Sequence, residues 1–133
     1  MITREADDAI RVVLCLAAMP KGQSLSTSAL AEQMFIPYRF LRRIVRKLSA
    51  SGIVGSVRGK AGGIYLLKKP AEISVQAILA VFDPRSLMLN RCYEEDSTCP
   101  RKGKCGVHRA LEPVQKLLNE RLKSMSFAEL AGT

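Results

Sequence analysis

The sequence predicts a mainly α-helical protein with one small β-hairpin. Three observations carry that expectation. Apolar residues recur at helical spacing through the first third of the chain. One helix near residue 40 is sharply divided into an apolar and a basic face. Two short strand-like runs follow it, joined by a glycine-rich turn. With 133 residues and 47% hydrophobic content, the chain suits one compact domain with a helical extension.

Arg4 to Met19 reads as a first helix, with Ile10, Val13, Leu14 and Ala17 on one stripe, and Pro20-Lys21-Gly22 ends it. Ser26 or Ser28 can cap a second helix carrying Leu30, Ala31 and Met34. Pro37 suits the first turn of a third. In that helix Phe40, Leu41, Ile44, Val45 and Leu48 share one face, and Arg39, Arg42, Arg43, Arg46 and Lys47 share the other. Gly52 stops it as a left-handed cap. Ile53–Val57 and Ile64–Leu67 have strand composition, and the turn 58–63 joins them. Two helices, a basic helix and a hairpin follow one another in the order of a winged helix-turn-helix. Ser74 can cap a further helix that Pro84 breaks. Pro113 is expected in the first turn of the next helix, with Val114, Leu117, Leu118 and Leu122 as its apolar stripe. Ser126-Phe127-Ala128-Glu129 fits a capping box.

The net charge of +9 is local. From Gln33 to Ala71 there is no Asp or Glu but there are nine basic residues, and the other twelve basic residues balance the twelve acidic ones. A block of one sign suits a polyanion. A recognition helix needs an apolar face to dock on its domain and a polar face for the major groove. Arginine suits that polar face, because it reads guanine bidentately and also grips phosphate. Tyr38, Arg39, Arg42 and Arg43 are therefore candidates for groove contact, and Arg46 and Lys47 for phosphates. At the hairpin tip, Arg58, Gly59 and Lys60 combine charge with close backbone approach. The plainer reading is an amphipathic surface helix whose arginines are only solvated.

Three of the four cysteines and the single histidine lie within 17 residues, as Cys92, Cys99, Cys105 and His108, with the spacing C-x6-C-x5-C-x2-H. Soft thiolates with one imidazole can hold iron, an iron–sulfur cluster or zinc. The residues between them are polar and rich in breakers, a composition that buries little and gains from a ligand that ties it down. Cys15, in the apolar first helix, reads as a small core residue.

The acidic N-terminus has no leading apolar run, and Val12 to Met19 is too short to span a bilayer. A cytoplasmic protein is expected, where clustered cysteines favour metal or redox chemistry over structural disulfides. No nucleophile elbow, phosphate loop or paired catalytic carboxylates are present, so an enzyme is not expected.

The string from Leu48 to Gly63, LSASGIVGSVRGKAGG, resembles the end of the recognition helix, the strand and the wing of the IscR/NsrR-type winged-helix transcription regulators, which often carry iron–sulfur clusters. Ala71–Val75 is similar to the family's entry into its next helix, and Ser126–Leu130 to its ending. The three cysteines fall where that family holds its cluster. The resemblance implies a winged helix-turn-helix over 1–83, a cluster loop over 84–108, and a dimerisation helix with a short terminal helix over 109–133. It also implies a homodimer on a palindromic double-stranded operator, with no membrane and no small-molecule substrate. Operator affinity would follow the state of a 2Fe-2S or 4Fe-4S cluster on Cys92, Cys99 and Cys105. His108 is the preferred fourth ligand. Asp7, which matches a carboxylate that some relatives supply across the dimer, is the alternative. Two departures stand out: a first cysteine gap of six residues, and Ile64 in place of an aromatic residue after the wing glycines. Structural zinc and a cluster-free thiol sensor remain alternatives. Zinc is the less favoured metal because the tight C-x2-C knuckles are missing.

Overall fold

The computed structural model describes residues 1–132. Six α-helices and one hairpin follow in order: α1 (Arg4–Ala17), α2 (Thr27–Met34), α3 (Tyr38–Ala50), β1 (Val54–Val57), β2 (Gly63–Leu66), α4 (Val75–Phe82), α5 (Gly106–Ser124) and α6 (Phe127–Leu130). Short 3-10 turns occupy Pro70–Glu72, Pro84–Leu87 and Arg91–Tyr93.

Helix starts follow side-chain chemistry. Thr3, Ser26, Ser74 and Ser126 each accept a first-turn backbone N–H of the helix they cap; such caps stabilise a helix by about 1 kcal/mol each. Pro37 is the N-cap of α3 and not a residue of its first turn; its carbonyl accepts from Phe40 N at 2.9 Å and Leu41 N at 3.0 Å.

Two helix ends use the same left-handed closure with different residues. After α3, Gly52 has φ 77°, Gly52 N donates to Ser49 O and Ile53 N to Leu48 O. After α2, Phe35 has φ 55°, Phe35 N donates to Glu32 O and Ile36 N to Ala31 O. Glycine adopts this conformation freely, whereas Phe35 pays about 1 kcal/mol for it. That turn sets α3 across α2.

β1 and β2 pair antiparallel, Val54 opposite Leu66 and Val57 opposite Gly63. Leu25 adds a one-residue third strand, exchanging hydrogen bonds with Ile64 at 3.1 and 2.8 Å. A Cβ on Gly63 would lie 2.4 Å from the Leu25 backbone, so this approach requires glycine.

The core is continuous. Val12 and Val13 of α1, Leu30 of α2, Leu41, Ile44 and Leu48 of α3, and Ile78 and Leu79 of α4 are all buried. Full burial of each such aliphatic side chain contributes about 1.5–3 kcal/mol. Phe127 is in the same core at 0% exposure. Val75 N donates to Met125 O, and Phe127 N to Ile73 O, which stitches the end of the chain to the entry of α4. The boundary expected at residue 109 therefore crosses no structural break: α5 begins at Gly106, and α6 packs within the N-terminal head.

Pro113 lies inside α5, not in its first turn. The helix already begins at Gly106, and Pro113 withholds one i to i−4 hydrogen bond mid-helix. Gln115 is the only buried residue of α5, while Val107, Val114 and Leu117 stand exposed, Leu117 at 66%.

Candidate nucleic-acid interface and cysteine site

Leu41, Ile44 and Leu48 dock α3 on the head, leaving Arg39, Arg42 and Arg46 outward on the opposite face. Tyr38 is half exposed, and the Arg42 guanidinium lies 5.8 Å from its ring centre. Arg43 lies 5.6 Å from the Phe40 ring. These stacked contacts hold two guanidiniums near the start of the helix before any partner arrives. Arg43 and Lys47 are drawn sideways: both meet Glu5 of α1, at 3.2 and 3.0 Å, and Lys47 also lies over the Phe82 ring. Among the described residues, Glu5 is the one acid paired with the basic helix. Sequence pattern missed it because it lies 38 positions from Arg43. Arg58, Gly59 and Lys60 form the exposed wing tip, with Gly59 at φ 112°.

Cys92, Cys99, Cys105 and His108 all line one cavity of about 610 Å³ at the N-terminal end of α5. Arg85, Arg91, Arg101 and Lys102 surround it, with Glu94 and Asp96 as the acids. His108 Nδ1 lies 3.2 Å from Cys92 Sγ. The Tyr93 ring stacks on the His108 ring at 4.6 Å, and its hydroxyl donates to the His108 carbonyl. Cys105 is the N-cap of α5. Its thiol is held below the ordinary value, first by the backbone N–H of His108 and then by that of Val107. Both amides belong to the first turn of α5, whose N-terminal N–H groups favour a thiolate.

Three thiols and an imidazole on one cavity wall are a donor set that fits iron–sulfur or zinc chemistry. Among the described residues, no three His, Cys, Asp or Glu side chains yet stand close enough to hold a metal ion. Cys99 is exposed, in a stretch of turns between Glu94 and Lys104 that contains no helix or strand. Asp7 is not brought to this cavity in its own chain; it pairs with Arg11 at 3.0 Å.

Gln115 was not foreseen. Its Oε1 accepts from Leu89 N at 2.7 Å, and its Nε2 donates to Leu87 O and to Asn119 Oδ1. A buried amide satisfied in this way clamps the 87–89 segment entering the cysteine segment onto α5. Its only trace in the sequence is an uncharged polar residue beside Lys116, between Val114 and Leu117.

A two-helix reading unit with a hairpin wing, backed by a one-sign basic surface, defines a winged helix-turn-helix DNA-binding regulator. The family model described as Rrf2, iron-dependent transcriptional regulator, matches residues 2–133, and the chain belongs to that family. The HTH-type transcriptional repressor NsrR of Streptomyces coelicolor is 28% identical, over 98% of this chain and 88% of its own. The structure of CymR, the global cysteine regulator of B. subtilis, superposes with a TM-score of 0.80 at 22% identity, covering 99% of this chain and 96% of that one. T. potens IscR gives 0.76 at 23% identity, over 99% and 86%. These two likenesses establish the fold. No helix among the described residues is long and apolar enough to cross a membrane.

Proposed function

We propose that this regulator binds its operator as a homodimer and that Cys92, Cys99 and Cys105, with His108, hold an iron–sulfur cluster whose state sets operator affinity. The observation that carries the reading is the shared cavity: every clustered cysteine and the single histidine line it, at the foot of the longest helix. When bound, the cluster supplies an oxidisable, displaceable crosslink between residues 92 and 108. The chain's own residues do the rest. Tyr93 orients the His108 ring and holds its backbone. Gln115 couples the 87–89 segment to α5, so ordering of the cysteine segment bears on that helix. The exposed Val107, Val114 and Leu117 offer α5 an apolar face suited to a second copy. The bistable element is the turn-only stretch 94–104. A fourth ligand other than cysteine makes ligation labile and pH-dependent. Asp7 from a second copy is the alternative to His108.

A cluster-free thiol sensor is the second reading. The exposed Cys99 and the lack of convergence among the donors favour it. Anaerobic purification with iron and acid-labile sulfide assays separates the two: brown protein carrying both supports the cluster, and colourless protein that resists reconstitution sinks it. Loaded and stripped protein should bind the operator with different affinity at one fixed salt concentration; equal binding removes the switch. Arg42→Ala should weaken operator binding by about 1–3 kcal/mol if it reads a base, with discrimination lost at one position.

A further inference from the structure

A second cavity, of about 700 Å³, lies between the C-terminal end of α1 and the base of the wing. It shares no residue with the cysteine cavity. Its volume is within the range of about 300–1,000 Å³ usual for small-molecule sites. Leu16, Ala17, Leu66 and Leu67 give it apolar walls, and Lys21, Lys68 and Lys69 give it three cations. No acidic side chain lines it, and none of the three lysines takes part in an ion pair among the described residues. The nearest acid in sequence, Glu72, is engaged in accepting the Lys69 backbone N–H.

We infer that this groove binds a small amphipathic anion: a carboxylate with an apolar tail, its head at the lysines and its tail along Leu16 and Leu66. Apolar burial supplies the attraction for the tail, and charge-assisted hydrogen bonds fix the head. A bare phosphate would leave the apolar walls unused. A DNA backbone favours a projecting ridge of cations over cations rimming a concave apolar floor. The wing is part of the wall. Val57, Tyr65 and Leu67 line the groove, and a Cβ on Gly55 would lie 2.9 Å from both the Tyr65 ring and the Leu67 side chain. The groove wall thus lies directly on β1, and a ligand that shifts Tyr65 or Leu67 shifts the hairpin presenting Arg58 and Lys60. Such a ligand would adjust operator affinity through the wing, independently of the cysteines.

The test uses the full chain with 8-anilinonaphthalene-1-sulfonate as fluorescent probe and decanoate as competitor. Saturable one-site enhancement is expected, reversed by decanoate and about tenfold less well by decan-1-ol. The triple variant Lys21→Gln, Lys68→Gln, Lys69→Gln should lose decanoate affinity by about tenfold. Leu67→Gln, at an exposed position, should weaken it without disturbing the helical circular dichroism signal. Unchanged decanoate affinity in the triple variant overturns the site. So does displacement of the probe by duplex DNA but not by decanoate, which would make the lysines phosphate contacts. Neither result bears on the cysteine reading, because no cysteine is altered.

Discussion

The winged head and the cysteine segment are opposite kinds of structure. The head closes on itself: α1 to α4, α6 and the hairpin share one core, side-chain caps start every one of these helices but α3, and Leu25 ties the wing to the loop before α2. Between Glu94 and Lys104 the chain makes only turns, and none of those residues is buried. The head is ordered by hydrophobic burial, which needs no partner. The segment buries little against the entropy of fixing its backbone, so in the proposed cluster reading the ligand supplies the order that the core does not. If the segment holds the proposed cluster, that division lets ligand loss rearrange the segment while the DNA-reading surface stays folded.

The comparison breaks first at Phe127. Phe127→Ala should cost about 3–5 kcal/mol in urea denaturation, although the residue follows the long helix in sequence. A loss below about 1 kcal/mol would mean that the head is complete without it. Next is the clamp between the two regions. Gln115→Leu strands the Leu89 N–H and the Leu87 carbonyl and should cost about 1–3 kcal/mol, with faster amide exchange at Leu89. Protection unchanged there would remove the mechanical link. A smaller effect on the head is expected from Cys99→Ser. Head stability should move by about 0.5 kcal/mol or less, while bound iron falls sharply. Loss of iron together with cooperative unfolding of the head would erase the distinction between the two regions.

The smallest effect concerns two thiols. Burial raises the Cys15 thiol above its ordinary value, so alkylation of Cys15 should lag that of the exposed Cys99 in metal-free protein, and should accelerate only at higher pH. The linked stability has a definite sign. Above the ordinary thiol range the unfolded chain loses this proton first, so stability falls as pH rises through that window. Peptide-mapped iodoacetamide rates would show the lag; equal rates for Cys15 and Cys99 at neutral pH would contradict it.

Local chemistry made much of this visible beforehand. The two-faced α3, the Gly52 stop, the serine caps and the wing turn all act within a few residues, where spacing and propensity decide. Strand and helix ends shifted by a residue or two, as fraying elements do. What escaped was long-range. The Leu25 bridge, the buried Phe127, the Gln115 clamp and the pull of Glu5 on Arg43 and Lys47 each join residues far apart in the chain, and no periodicity records such a contact. Pro113 misled for a different reason: proline favours first turns, but one helix interior can absorb the lost hydrogen bond when the flanking turns are otherwise satisfied. The cysteines were found by spacing alone, yet their common cavity also depends on Tyr93 and the start of α5, which the spacing does not reveal.

The seat of Phe127 also orders events during synthesis. A growing chain can form α1 to α4 and the hairpin, but a hole remains at the centre until residues 125–131 have been made and can fold back against Ile73 and Val75. The cysteine segment is translated before residues 125–131, so the head that reads DNA closes only after that segment has been made. The DNA-reading head thus depends on residues made after the cysteine segment, and a chain stopped before residue 125 would leave the seat of Phe127 empty.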